Sequence, residues 1–205
     1  MGIVRSAYRS LRQNTVGLRN RARMMRGTRA VQEMVPLLPE HRTGKRRRPH
    51  VIVDLVHRYC PGPDVVLVEI GTVGGATSVH IARYCPQISK IYAVDIVKPD
   101  DDADHTRGHD RIEFVHAASV DAAKRFADKS VDFVFIDADH SAKAVYEDLQ
   151  AWVPKVRPGG VLAGHDYGSH RHYGVKPAVD FFFAQRSPKP VGTDADRVWW
   201  TINEG

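Results

Sequence analysis

Two short runs in this 205-residue chain hold side chains suited to chemistry, Asp137-Ala138-Asp139-His140 and His165-Asp166-Tyr167. Carboxylates and imidazoles exchange protons near neutral pH and ligate divalent cations. Each run stands at the end of a mostly apolar stretch, residues 131–137 and 161–164, of the kind that forms a strand buried on both faces. In open α/β sheets, ligands sit outside the carboxyl ends of such strands. Asp137, Asp139, His140, His165 and Asp166 are therefore expected to converge on one crevice.

A third run, Glu69-Ile70-Gly71-Thr72-Val73-Gly74-Gly75-Ala76-Thr77-Ser78, takes a buried strand into a glycine-rich turn and then a helix. Glycine lets backbone approach a ligand closely, and the helix start offers unpaired N–H groups. The dinucleotide fingerprint requires glycine two residues after the first, where this chain has Val73, so that pattern fails. Glu69 before the turn and Gly75 four residues after Gly71 fit the methionine and ribose parts of S-adenosylmethionine, which has no pyrophosphate to cradle. Asp95, closing the next apolar run, is placed to accept both ribose hydroxyls, a role that a nicotinamide cofactor would also use. The expected cofactor-binding set is Glu69, Gly71, Thr72, Gly75, Ser78, Asp95, Ile96, Ala118, Ser119 and Asp137, with Ala118 and Ser119 flanking the adenine.

The elements that must position these groups follow from periodicity. Strands are expected at 65–70, 90–95, 111–116, 131–137, 161–164 and 197–202, and helices at 51–60, 74–84, 119–127, 141–153 and 175–184. Residues 158–160, Pro-Gly-Gly, read as a turn. This alternation argues for a doubly wound α/β domain, a mostly parallel, seven-stranded Rossmann-like sheet with helices on both faces. An apolar content of 42% suits a globular chain. No apolar run of about 18 residues exists to cross a membrane. Without a secretory signal, the expected location is cytoplasmic. Cys60 and Cys85 are then reduced, small, partly buried residues.

Charge is unevenly spread. The first fifty residues hold thirteen Arg or Lys against Glu33 and Glu40, a surplus of eleven, whereas the whole chain carries +6. Residues 51–205 are therefore mildly acidic. The chain divides into a basic, helical N-terminal extension with a charged linker (1–50) and a catalytic-looking domain (51–205). The extension could meet an anionic partner, RNA or a lipid surface, or a neighbouring subunit in a homo-oligomer. Tyr8 is its one aromatic residue, whereas nucleic-acid binding usually adds aromatic stacking.

From residue 64 to about 183 the chain resembles class I methyltransferases. It looks most like the small-molecule O-methyltransferases that act on sugars of antibiotics, with catechol O-methyltransferase more distant. The resemblance rests on Asp137-Ala138-Asp139-His140-Ser141, Trp152-Val153-Pro154-Lys155-Val156-Arg157-Pro158-Gly159-Gly160, His165-Asp166-Tyr167 and Gly174-Val175-Lys176-Pro177-Ala178-Val179-Asp180. It implies a divalent metal at Asp137 and Asp166, with Asp139 as general base. The sugar-modifying members carry paired acids where this chain has His165-Asp166. Asp137, His165 and Asp166 would suit Mn²⁺, Fe²⁺ or Zn²⁺ better than Mg²⁺. His140 and His165 stand beside Asp139 as candidates for direct chemistry.

The function implied is O-methylation of a hydroxyl on a small molecule or glycan, with the metal lowering the hydroxyl pKa. An RNA-directed methyltransferase using the basic arm and a non-catalytic S-adenosylmethionine-binding protein are the alternatives; a nicotinamide dehydrogenase is opposed by Val73. Three further groups are expected to be structural. His105 and His109 read as a solvated loop before a metal clamp, His170 and His172 as a loop over the substrate mouth, and Trp199-Trp200 as core or an oligomer surface.

Overall fold

The computed structural model describes residues 47–184, 186 and 192–205. Most of the basic extension therefore lies outside the described residues. The first helix, α1, is Arg48–Tyr59, so Arg48 and Pro49 form its opening turn rather than the end of a linker. Proline suits that position because the first-turn N–H has no intrahelical partner. The amide of Arg48 donates instead to Asp196 Oδ2 at 3.0 Å. Val51, Ile52, Val53 and Val56 are fully buried, which makes α1 part of the domain core.

Strand β1 (Val65–Ile70) lies at the middle of the sheet. Helix α2 (Ala76–Tyr84) leads to β2 (Ile88–Asp95), then β3 (Ile112–His116), α3 (Ser119–Ala123) and β4 (Val131–Ile136). Helix α4 (Ala142–Trp152), β5 (Val156–Gly164), α5 (Val175–Ala184), the short β6 (Gly192–Thr193) and β7 (Trp199–Ile202) complete the order. The seven strands run β3-β2-β1-β4-β5-β7-β6. The pairs β1–β2, β1–β4, β2–β3 and β4–β5 are parallel, and β7 pairs antiparallel with both β5 and β6. The chain reverses its direction of travel across the sheet between β1 and β4, which opens a crevice at their carboxyl ends.

Alternate residues of each strand supply two cores. Leu67, Ile91, Phe133 and Val161 pack with α1 and α2. Val68, Val94, Val134 and Leu162 pack with α3, α4 and α5. Burial on both faces explains the unbroken apolar runs in the sequence.

Several boundaries differ from the sequence-based expectation. The Pro158-Gly159-Gly160 segment is inside β5 rather than a turn. Gly159 N–H donates to Asn203, and Asn203 N–H to Gly160, so the C-terminal segment pairs with it. The last strand begins at Trp199, because Ala195–Arg197 form a 3₁₀ turn. The third helix stops at Ala123, and the helix after β1 starts only at Ala76. Trp199 is buried against Gly164, where an added Cβ would sit 2.7 Å from the indole. Both cysteines are fully buried rather than partly, and burial pushes the Cys60 thiol up to about 12. Among the described residues, no helix is long and apolar enough to cross a membrane.

Candidate active site

The β1 turn is built by close approach. Gly71 has φ +82°, and a Cβ there would lie 2.1 Å from the carbonyl oxygen of Asp137. Gly71 N–H donates to Val94 at 2.9 Å, and Asp137 N–H donates to Ile70 at 2.8 Å. These contacts knit the tips of β1, β2 and β4 into one rim. Val73 takes φ +56°, an outlier for a β-branched residue. Its amide thereby donates to Asp95 Oδ2 at 2.7 Å, while Val97 N–H donates to Oδ1 at 2.9 Å. The Asp95 carboxylate is thus fixed at the rim.

Glu69 lies beneath the turn, 2% exposed. It accepts hydrogen bonds from Ser78 Oγ at 2.5 Å and Thr72 Oγ1 at 3.1 Å. Burial pushes its carboxyl up to about 7, against the pull of the Ser78 hydrogen bond. Glu69 and Ser78 therefore brace the loop from inside and line neither cavity described below. Gly75 is likewise a packing position, since a Cβ would meet Thr106 Cγ2 at 2.2 Å. The start of α2 thus packs against the 106 loop.

Two cavities meet at the rim. The smaller, about 510 Å³, runs from Gly71 and Asp95 past Ile96 and Ala118 to Ser119 and Asp148. Its walls are mostly apolar, and Ile96 and Val97 stand 68% and 65% exposed beside it, an apolar lip that a flat ligand would cover. At its far end Ser119 Oγ accepts from Trp152 Nε1 at 3.0 Å. Burial pushes the neighbouring Asp148 carboxyl up to about 6, partly offset by its hydrogen bond with Ser119. The larger cavity, about 1060 Å³, continues from Gly71 and Thr72 to Arg48, Thr77, Asp137, His140, His165 and Asp166.

At the bottom of the larger cavity a cluster of four donor atoms has formed. His165 Nδ1 is 3.4 Å from Asp137 Oδ1 and 3.2 Å from Asp166 Oδ2. His140 Nε2 is 3.5 Å and 3.0 Å from the same two oxygens. The backbone of Asp166 sits at φ +58°, a strained setting that aspartate tolerates better than most residues. His172 stacks on His140 with ring centroids 3.9 Å apart, and its Nε2 is 3.7 Å from Asp166. Burial disfavours the charged form of His165, but the hydrogen bond and charge of Asp137, together with the charge of Asp166, outweigh it and hold its pKa above the usual range. His140 Nε2 is buried and, despite these distances, makes no properly oriented hydrogen bond. A buried imidazole nitrogen beside two carboxylate oxygens without hydrogen-bond geometry suits a divalent cation shared among them. Asp137, His165 and Asp166 lie close enough together to hold one, as do His140, Asp166 and His172.

The two strand tips thus meet as the motifs implied. Asp139 stands apart from the cluster. Its Oδ1 accepts from Ser141 N–H at 2.7 Å, it lines the smaller cavity, and that backbone hydrogen bond lowers its pKa. His140, in contrast, faces the cluster. His105 and His109 are both exposed, in keeping with a solvated loop. Arg48, Thr77 and Asp148 are at the site without having been singled out for it, and His172, expected in a loop over the substrate mouth, stacks on His140. Arg48 pairs with Asp137 Oδ2, and its Nη2 is 3.3 Å from Thr77 Oγ1. Spacing from the strand-tip motifs could not find Arg48, which arrives from another helix.

Residues 68–167 match the family model described as methyltransferase domain. No curated protein matches. Among solved structures, the chain is similar to the O-methyltransferase NovP (18% identity, 77% of this chain and 80% of that one, TM-score 0.62). It is also similar to 1,6-didemethyltoxoflavin-N1-methyltransferase from Burkholderia thailandensis, solved with 1,6-didemethyltoxoflavin and S-adenosylhomocysteine (17% identity, 75% and 76% coverage, TM-score 0.52). A candidate type II methyltransferase from Anaeromyxobacter dehalogenans matches at 17% identity over 59% of this chain, with a TM-score of 0.45; the chain spans only 48% of that protein. At these identities the likeness establishes the fold.

Proposed function

We propose that this chain, whose residues 68–167 match a methyltransferase-domain family model, is an S-adenosylmethionine-dependent methyltransferase that methylates a hydroxyl oxygen of a small molecule or glycan with the help of a divalent cation. One observation carries this reading: Asp137, His165 and Asp166 converge in the larger cavity beside the Gly71 turn, and Asp137 also lines the smaller one. The smaller cavity takes the nucleoside, with Asp95 accepting from the ribose hydroxyls and Ala118, Ser119 and Ile96 around the base. Gly71 and Thr72 pass the methionine portion into the larger cavity, while Glu69, Gly75 and Ser78 hold the turn that does so.

The acceptor lies in the larger cavity near the cluster. A sugar or catechol hydroxyl is a weak nucleophile at neutral pH, and a cation held by Asp137, His165 and Asp166 would lower its pKa. His140 takes the hydroxyl proton at Nε2, and His172 stacked on it keeps the ring in place. The freed oxygen forms its bond to the methyl carbon as the carbon–sulfur bond breaks in line, leaving S-adenosylhomocysteine. Holding donor and acceptor in line supplies much of the acceleration. An amine acceptor needs no such cation, so the cluster favours oxygen.

The test is transfer of radiolabelled methyl from S-adenosylmethionine to a panel of catechols, sugar hydroxyls and amines, with chelator and with Mg²⁺, Mn²⁺, Fe²⁺ or Zn²⁺ restored. Label on oxygen acceptors that depends on the restored cation is the expected result. Full activity in chelator, or transfer to amines alone, rejects the proposal. The basic residues before helix α1 are read as a segment for an anionic partner or another subunit.

A further inference from the structure

We propose that Arg48 is the receptor for the α-carboxylate of the cofactor's methionine tail, so that helix α1 completes the cofactor site. The inference rests on the methyltransferase reading above and assigns a residue to a part of the ligand that the strand-tip motifs leave without a cation.

The two cavities share Gly71, Val73, Asp95, Val97, Asp137 and Ala138, so a ligand spanning both must pass over Gly71. With the base near Ser119 and the ribose on Asp95, the amino-acid end of S-adenosylmethionine enters the larger cavity. That end is a zwitterion and requires one cationic and one anionic partner. Arg48 and Asp137 are such a pair, already side by side at the place where the tail arrives. Thr77 Oγ1, 3.3 Å from Arg48 Nη2, adds a hydroxyl on the same side.

Arg48 is preorganised for this task. Its backbone amide is held by Asp196 Oδ2 at 3.0 Å, and residues 51–57 of α1 are buried. Its side chain is 31% exposed and so remains open to the cavity. A guanidinium has five N–H donors in a fixed fork that matches a carboxylate. The contacts with Asp137 and Thr77 leave donors for a third partner. The two oxygens of Asp137 also face different ways. Oδ2 meets Arg48, whereas Oδ1 faces His140 and His165. Tail recognition and the donor cluster can therefore operate together.

The experiment compares two nucleosides by calorimetry on the full chain. S-adenosylhomocysteine has the amino-acid tail, and 5′-methylthioadenosine lacks it. Arg48→Met is expected to weaken S-adenosylhomocysteine by about 10- to 100-fold, the range for a lost hydrogen bond to a charged group. Binding of 5′-methylthioadenosine should stay within about twofold, because only the tail has lost its partner. Arg48→Lys, which keeps the charge but not the fork, should fall between Arg48→Met and the native chain for the first ligand. Unchanged S-adenosylhomocysteine affinity in Arg48→Met, or an equal loss for both ligands, overturns the proposal. If the native chain binds neither nucleoside, the cofactor reading itself falls, which is a different result from either of these.

Discussion

At the scale of single residues, Asp95 and Asp137 have different surroundings although each stands at the carboxyl end of a parallel strand. Asp95 is fixed by two backbone amides and presents its remaining lone pairs to the rim. Asp95→Ala should weaken S-adenosylhomocysteine binding by about 10-fold or more, because a charge-assisted acceptor is lost. An unchanged dissociation constant in calorimetry would reject the ribose role. Asp137 and Asp166 place one oxygen each within 3.5 Å of both His140 and His165. Asp137→Asn and Asp166→Asn should abolish cation-stimulated methyl transfer, by removing negative charge while nearly conserving shape. Retained stimulation by added Mn²⁺ in either variant would contradict the assigned ligands. His140 and Asp139 were both legible as candidates from the run that contains them. Their different placement was not, because Asp139 turns back to the Ser141 amide while His140 faces Asp137 and Asp166.

At the scale of elements, the β1 turn and helix α1 decide the shape of the site. Gly71→Ala would force a methyl group to within 2.1 Å of the Asp137 carbonyl and would oppose the φ of +82°. The variant should lose cofactor binding together with stability, seen as a lowered melting temperature that S-adenosylhomocysteine no longer raises. A ligand-induced shift equal to that of the native chain would show that the turn tolerates the change. Helix α1 is anchored by Ile52, which is fully buried. Ile52→Ala should cost roughly 2–5 kcal/mol in urea unfolding. A loss below about 1 kcal/mol would mean that α1 is not an integral part of the core. The buried strands were readable because burial on both faces leaves an unbroken apolar run. The paired Pro-Gly-Gly segment was not readable, because its partner is the distant Asn203.

At the scale of the whole molecule, buried carboxyls tie stability to pH. Glu69 rises from 4.5 to about 7, and Asp148 from 3.8 to about 6, in both cases chiefly through burial. Between the unfolded and folded values the native state binds more protons than the unfolded chain, so stability falls as pH rises. His165, held above its ordinary range, acts in the same direction as pH passes through its folded value. The cofactor-free protein should therefore become less stable from about pH 4.5 to about pH 7, by an amount on the order of a few kcal/mol. Urea unfolding across this interval checks the slope, and Glu69→Gln should flatten it. An identical slope in Glu69→Gln would mean that Glu69 is not the group responsible.

The order of strands and helices, the glycine turn after β1 and the acid and imidazole runs at two strand tips were all decided locally. Apolar period, turn residues and short motifs act over a few neighbours, so the linear chain displays them. Which groups line a cavity was decided only in three dimensions. Glu69, Ser78 and Gly75 belong to the turn motif yet face inward, because α2 packs against the 106 loop. Arg48 and Thr77 belong to no common motif yet meet at Asp137, because α1 docks across the sheet with its first turn tied to Asp196. Contacts between residues far apart in sequence depend on the packing of whole elements, and no short window of the chain records them.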